Sequence, residues 1–247
     1  MVSEQEKWER YWNELPTGVG HSIWDSDPSV VAAEHLPLFQ PHFTADLPLL
    51  DIGCGNGTQT AYLAKHYPLV IGLDVSKSAV RAAQAACSSS GISFRQFDLL
   101  DREATEEAHT EFGDCNIYLR TVLHLFDDKV KKGAVENLAQ LLGETGGVFA
   151  IEITDSIQDL YTLVRSGQAD WADKLNRALS YDLTGGQLAD GEMEQLATSA
   201  GISVIASGRS RVYSTATLPD GQPLIVPAVY MIGKASVASK EAQRSGA

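Results

Sequence analysis

Leu49-Leu50-Asp51-Ile52-Gly53-Cys54-Gly55-Asn56-Gly57-Thr58 is the stretch whose reading decides the fold. Residues 47–52 form a short apolar run of the kind that fills a strand buried on both faces. Three glycines at alternate positions follow at once. A helical spacing then begins with Thr58, Ala61, Tyr62 and Lys65. Glycine lets a chain turn sharply and lets a ligand approach the backbone without meeting a Cβ. Free N–H groups at a helix start favour a carboxylate or phosphate. Strand, glycine turn and helix together predict a site for a nucleotide-type cofactor.

Outward from this stretch the alternation continues. Residues 58–66 read as a helix, and after Pro68 the apolar run 69–73 reads as a second strand ending at Asp74. Ser76 stands where a helix N-cap is expected, ahead of a helix to about residue 87. An acidic side chain closing the second strand can accept hydrogen bonds from two ribose hydroxyls, a geometry common to several nucleotide cofactors. As a bare helix cap Asp74 would carry no such meaning. A third strand, 92–97, leads into Asp98-Leu99, and residues 101–111 read as a short acidic helix. Residues 116–119 form a fourth strand, followed by Arg120 and the run Thr121 to Phe126. A helix from Asp127-Asp128 to about residue 142 and a fifth strand, 148–153, complete the series. Five strands alternating with helices predict a right-handed, doubly wound, mostly parallel sheet whose ligands sit at the carboxyl ends of the strands.

The dinucleotide fingerprint G-x-G-x-x-G/A is not met, because Thr58 stands where its last small residue belongs. The order Asp-x-Gly-x-Gly-x-Gly at 51–57, then Asp74, then Asp98-Leu99, resembles successive motifs of the class I S-adenosylmethionine (SAM) dependent methyltransferases from about residue 45 to 153. That resemblance implies a seven-stranded Rossmann-like sheet with an antiparallel last strand. It implies SAM as cofactor, with Asp51 orienting the amino-acid end, Asp74 on the ribose and Asp98 on the adenine amino group. The cofactor contacts expected are Asp51, Gly53, Cys54, Gly55, Asn56, Gly57, Asp74, Val75, Asp98, Leu99 and Arg120. The fourth strand lacks the Asn-Pro-Pro-Tyr sequence of amino-methylating nucleic-acid enzymes, and no Pro-Cys nucleophile is present. The expected acceptor is therefore an oxygen or nitrogen of a small molecule. A nicotinamide-dependent oxidoreductase and a non-catalytic SAM-binding module are the rival readings.

The flanks supply the expected cap. Residues 3–15 read as an amphipathic helix with a Ser3/Glu6 capping box, and Trp8, Tyr11, Trp12 and Leu15 share a face. This stripe is either core or a lid in which Tyr11 or Trp12 touches the cofactor. The N-terminal helices within residues 1–40 and an insertion at 155–186 are expected to close over the ligand edge. His21, Trp24, Arg120, His124, Tyr161 and Trp171 are the candidate substrate contacts. His124 is the leading general base, because it follows the fourth strand and imidazole titrates near neutrality; alternatively it only orients its loop. Asp190 is expected to cap a helix to residue 200, and residues 202–213 and 224–232 to form a closing hairpin.

Composition sets bounds on partners. With 247 residues the chain suits one large domain, taken as 1–235, with 236–247 as a disordered tail. A net charge of -13 opposes non-specific affinity for nucleic acid. No apolar run approaches the roughly 20 residues needed to span a bilayer, and the first ten residues are too polar for a signal peptide. Cys54, Cys87 and Cys115 offer neither a disulfide framework nor a metal spacing. A cytoplasmic setting, no membrane partner and no metal are the expectations, with the oligomeric state open.

Overall fold

The computed structural model describes residues 2–16, 18–87, 91–153, 170–183, 188–217 and 221–236; the side chains of 170–172, 216, 217 and 223 fall outside that description. Its centre is a seven-stranded sheet in the order β3-β2-β1-β4-β5-β7-β6. Strands β1 (Leu49–Ile52), β2 (Val70–Asp74), β3 (Ile92–Gln96), β4 (Asn116–Arg120) and β5 (Gly147–Ile153) run parallel. β7 (Pro223–Ala235) is antiparallel to both β5 and β6 (Ile202–Thr217). This is the Rossmann-like arrangement of class I methyltransferases that the motif order implies. β1 has β2 on one side and β4 on the other, so the sheet reverses direction there and a crevice opens at their carboxyl ends.

The sheet holds because its central strands are apolar on both faces. Successive side chains point to opposite sides. Leu50, Ile52, Ile117, Leu119, Val148 and Ala150 pack with Leu138, Leu141 and Leu142 of helix α6 (Asp128–Leu142). Leu49, Tyr118, Phe149 and Ile151 pack on the other face with Leu36 and Phe39 of α2 (Val31–Phe39) and Leu63 of α3 (Thr58–Leu63). Each fully buried Leu, Ile or Phe side chain contributes about 1.5–3 kcal/mol. Local signals agree with this packing. Ser3 and Glu6 form a reciprocal capping box on α1 (Glu4–Glu14). Ser76 caps α4 (Lys77–Ala86), Asp101 caps α5 (Arg102–Phe112), and Asp127 caps α6.

The flanks differ from expectation in three places. α3 spans only six residues, and the Thr58 N–H points at Asn56 Oδ1 (3.4 Å), so its start is less open to an anion than the sequence suggests. The helix after residue 190 is not capped by Asp190. Gly191, at φ 76, is the N-cap of α8 (Glu192–Ser199), and the Glu192 carboxylate reaches back to the Ala189 N–H (2.8 Å). The closing hairpin is also longer than predicted. β7 pairs with β5 only as far as Ala228 opposite Ile153, so the paired stretch from Arg211 with Pro227 to Thr217 with Pro223 projects past β5 as a two-stranded arm.

Of the predicted cap, α1 and α7 (Asp170–Ser180) are described, while residues 154–169 and 184–187 are not. Tyr11 at the heart of α1 is wholly buried and clusters with Ala178, Leu183 and the rings of Trp8, Trp12, Trp24 and Tyr181. The Tyr181 hydroxyl donates to Glu14, and Lys7 pairs with Asp182 (2.8 Å). Among the described residues no helix is long and apolar enough to cross a membrane.

Candidate active site

A single cavity lies at the carboxyl ends of β1, β2 and β4, lined by Ile52 to Asn56, Asp74, Val75, Phe97 to Leu100 and Arg120 to Val122. Leu125 and Phe126 close one flank, and Trp8, Trp12, Trp24 and Asp25 close the other. The floor is the glycine turn. Gly53 and Gly55 have φ of 75 and 53, a region L side chains rarely adopt. A Cβ on Gly53 would stand 2.5 Å from Val122, and one on Gly55 would stand 3.0 Å from the Trp12 ring. The turn is fixed from below by N–H bonds from Gly53 and Cys54 to the Leu73 carbonyl (2.7 and 3.0 Å).

Two carboxylates stand at strand ends along the cavity. Asp74 accepts the Gly55 N–H at Oδ2 and the Ser76 N–H at Oδ1, both at 2.9 Å. Burial pushes its carboxyl up to about 6, against the opposing pull of those two N–H groups. Each oxygen has a second lone pair, which suits a vicinal diol. Asp98 accepts the Leu100 N–H at Oδ1 (2.9 Å), and its neighbours Phe97, Leu99 and Leu100 give that end an apolar lining suited to a planar base.

The opposite corner is built by the irregular segment from Gly20 to Ser26. Asp25 accepts from the Gly20 and Ser22 N–H groups at Oδ2 (2.6 and 3.1 Å) and from Asn56 Nδ2 at Oδ1 (2.8 Å). Gln59 Nε2 donates to the Ser26 carbonyl (3.1 Å). Arg120 donates from Nη1 to Ser26 Oγ (3.2 Å) and from Nη2 to the Trp24 carbonyl (2.9 Å). The arm of β6 clasps the same segment, with the Ser26 hydroxyl on the Tyr213 carbonyl and the Thr215 N–H on the Asp25 carbonyl (2.8 Å). α1 is pinned to the far side by Glu9, whose carboxylate accepts from the Ser76 hydroxyl and from the Ser78 N–H and hydroxyl (2.7–2.9 Å).

Several residues singled out from the sequence are not at the cavity. Tyr11 gives its hydroxyl to Ser22 (3.1 Å), burial raises its phenol to about 12, and its neighbour Trp12 lines the cavity instead. Asp51 is buried behind the turn on the Thr60 hydroxyl (2.6 Å), with its carboxyl pushed up to about 6 by burial. Gly57 serves the turn, since its Cβ would stand 2.7 Å from the Phe94 ring. His21 is half-buried and does not line the cavity. His124 turns inward as well. Its Nδ1 meets Glu152 Oε2 at 2.7 Å, and the same carboxylate takes the N–H groups of Val122, Leu123 and His124. Tyr161 and the side chain of Trp171 lie outside the described residues.

Gly53, Cys54, Gly55, Asn56, Asp74, Val75, Asp98, Leu99, Arg120 and Trp24 do line it. Burial pushes the Cys54 thiol far up, so it is no nucleophile. Sequence reasoning missed Asp25, Gln59 and Thr121 as lining residues. Thr121 has φ 56, an outlier for a β-branched residue, and places a strained backbone at the cavity wall. Among the described residues no group of three or more His, Cys, Asp or Glu could hold a metal ion.

Comparison with known proteins sets this geometry in context. Residues 49–146 match a family model described as a methyltransferase domain. Over nearly its whole length the chain superposes on a SAM-dependent methyltransferase from Anabaena variabilis. The identity is 30%, the coverage 95% of this chain and 96% of that one, and the TM-score 0.86. Among curated proteins, trans-aconitate 2-methyltransferase of Acidovorax sp. is 30% identical over 135 residues, which is 53% of this chain and 48% of that protein. An uncharacterized RNA methyltransferase of Chlorobaculum tepidum is 43% identical over 61 residues, 24% of this chain and 13% of that protein. The chain thus spans about half the length of the first curated relative and less of the second.

Proposed function

The chain belongs to the SAM-dependent methyltransferases, and from that premise we propose that it transfers the methyl group of SAM to an oxygen or nitrogen of a small molecule. The observation that carries the cofactor assignment is Asp74, a carboxylate at the end of β2 facing the cavity across the glycine turn. The donor set fits the cofactor along its length. Asp74 would accept the ribose hydroxyls, and Asp98 would accept the adenine amino group between apolar neighbours. Gly53 and Gly55 bare their backbone toward the amino-acid end. SAM supplies an activated methyl group on a sulfonium and a thioether leaving group.

This chain's own contribution is positioning and exclusion of water. Trp8, Trp12 and Trp24 wall the cavity, with the Trp8 and Trp24 rings 5.0 Å apart, and would shed water from the reacting face. Their electron-rich faces suit a positively charged sulfur. Arg120 fixes Trp24 and Ser26 in place and thereby shapes the acceptor side. His124 serves as a positioning residue rather than a base. Held on Glu152, it fixes the loop that presses Val122 onto Gly53. A small-molecule acceptor is favoured by the relationship to an enzyme acting on trans-aconitate, and the net charge of -13 disfavours RNA.

Thermal unfolding with S-adenosylhomocysteine (SAH) or NAD tests the cofactor. A ligand at a hundredfold excess over its Kd stabilises by about 2.7 kcal/mol, so SAH should raise the midpoint and NAD should not; the reverse pattern would overturn the reading. Incubating small-molecule extracts with the protein and isotopically labelled SAM should transfer label to a low-mass product. Label appearing only in an RNA fraction would refute the acceptor class.

A further inference from the structure

Gln59 is 4% exposed, lies in the first turn of α3 and lines the cavity. Its side-chain nitrogen donates to the Ser26 carbonyl at 3.1 Å. Because that partner can only accept, the assignment of the two poles of the amide is fixed. The other pole, Oε1, is buried and has no hydrogen-bond partner. Leaving a buried carbonyl unpaired is costly, and native proteins rarely do so without a reason. The surroundings define what would satisfy it. In the same corner Asn56 and Asp25 are bonded to each other at 2.8 Å, which adds a carboxylate. The Arg120 guanidinium, the cation on this wall, donates to Ser26 and Trp24. A small cationic donor fits such a corner, and an anion does not.

We propose that Gln59 accepts a hydrogen bond from the α-ammonium of the cofactor's amino-acid end and thereby couples cofactor occupancy to the Ser22–Ser26 segment that forms the acceptor wall. The inference rests on the SAM reading above. One amide spans both roles: its oxygen faces the ligand and its nitrogen holds Ser26. A charge on the oxygen side polarises the amide and strengthens the bond on the nitrogen side. Ser26 is bonded in turn to Arg120 and to the β6 arm, so the bound ammonium tightens three elements at once. The acceptor site is complete only when the cofactor is in place, which makes binding ordered.

The test compares SAH with its des-amino analogue by calorimetry and by hydrogen exchange of residues 20–27. The wild-type protein should bind the analogue at least about tenfold more weakly than SAH, the loss expected for a hydrogen bond to a charged group. SAH should slow exchange in this segment and the analogue should not. Gln59→Met keeps length and volume but has no carbonyl, and it should bind both ligands alike. Gln59→Glu keeps an acceptor for the ammonium but loses the donor to Ser26. It should therefore still prefer SAH while losing the protection of 20–27. Equal affinity and equal protection with both ligands in the wild type, or a preference for SAH that survives in Gln59→Met, would overturn the inference alone. No SAH binding by the wild type would overturn the cofactor reading and the inference with it.

Discussion

Replacing Asp74 by asparagine removes a charge while keeping the shape of the side chain, and its consequences can be worked out atom by atom. The carboxylate now satisfies two loop donors, the Gly55 and Ser76 N–H groups at 2.9 Å each. Asparagine can accept from one of them but presents an NH2 group to the other. One buried N–H is left facing a donor, at a cost of about 1–3 kcal/mol in stability. An alanine variant would abandon both, so it is not a neutral probe of binding. Losing a charged acceptor for the ribose should weaken SAH by roughly 10- to 150-fold near neutral pH. The pH dependence provides a second readout. Burial raises the Asp74 carboxyl from 3.8 to about 6 in the protein without ligand. For a raised pKa, the stability contribution is complete below the unfolded value and is lost as pH rises through the folded one. Going from pH 7 to pH 5, the ligand-free wild type should therefore gain about 1.4 kcal/mol relative to Asp74→Asn. Over the same interval SAH binding should weaken roughly tenfold, because the ribose site needs the ionised form. Calorimetry and urea unfolding at the two pH values measure both slopes. An affinity for SAH that is flat across this interval, or unchanged in Asp74→Asn, would refute the reasoning.

Gly57→Ala places a Cβ at φ 76, 2.7 Å from the Phe94 ring and 2.9 Å from Ala83 Cβ. Left-handed strain and overpacking together should cost about 2–5 kcal/mol, and thermal unfolding should show it as a midpoint lowered by roughly 5–15 °C; an unchanged midpoint would mean that the turn relaxes freely. Glu152→Gln replaces a fully buried carboxylate that accepts from three backbone N–H groups and one imidazole nitrogen. Its amide cannot satisfy all four, so urea unfolding should reveal a loss of about 2–4 kcal/mol, with SAH binding weakened through the loosened Val122. A variant as stable as the wild type would show that the carboxylate is not what holds this loop.

The sheet and the cofactor edge were legible because their signals are local. The run at Leu49 to Ile52, the alternate glycines and the acids at positions 74 and 98 each announce themselves within a few residues. What escaped was set by distant partners. Residues 11 and 12 are neighbours on a helix, about 100° apart, and the stripe alone could not decide which ring is buried. The hydrogen bond to Ser22 and the packing of Leu183 took Tyr11 inward and left Trp12 on the cavity. His124 looked like a base because it follows a strand; the carboxylate that claims it lies 28 residues later, on β5. Gln59 carries no signal, since a glutamine in a short helix is ordinarily a surface residue, and only its burial against Ser26 sets it apart. Asp190 lost its capping role to Gly191 because the left-handed turn there suits glycine.

The clasp between the β6 arm and the Ser22–Ser26 segment joins positions nearly two hundred apart in the chain; the Ser26 to Tyr213 bond spans 187 residues. During synthesis the early part of the chain can form α1 and α2, and the parallel strands can assemble in turn, but this wall has no partner until the last hairpin emerges. Closing so long a loop is slow. The ribosome-bound chain would thus pass through a stage with a complete glycine turn and an open acceptor side. A hydrogen-exchange pulse during refolding should find residues 20–27 protected after the central sheet. Maturation of this protein is then a matter of timing: competence to hold a nucleoside comes first, and competence to shelter a reaction comes last.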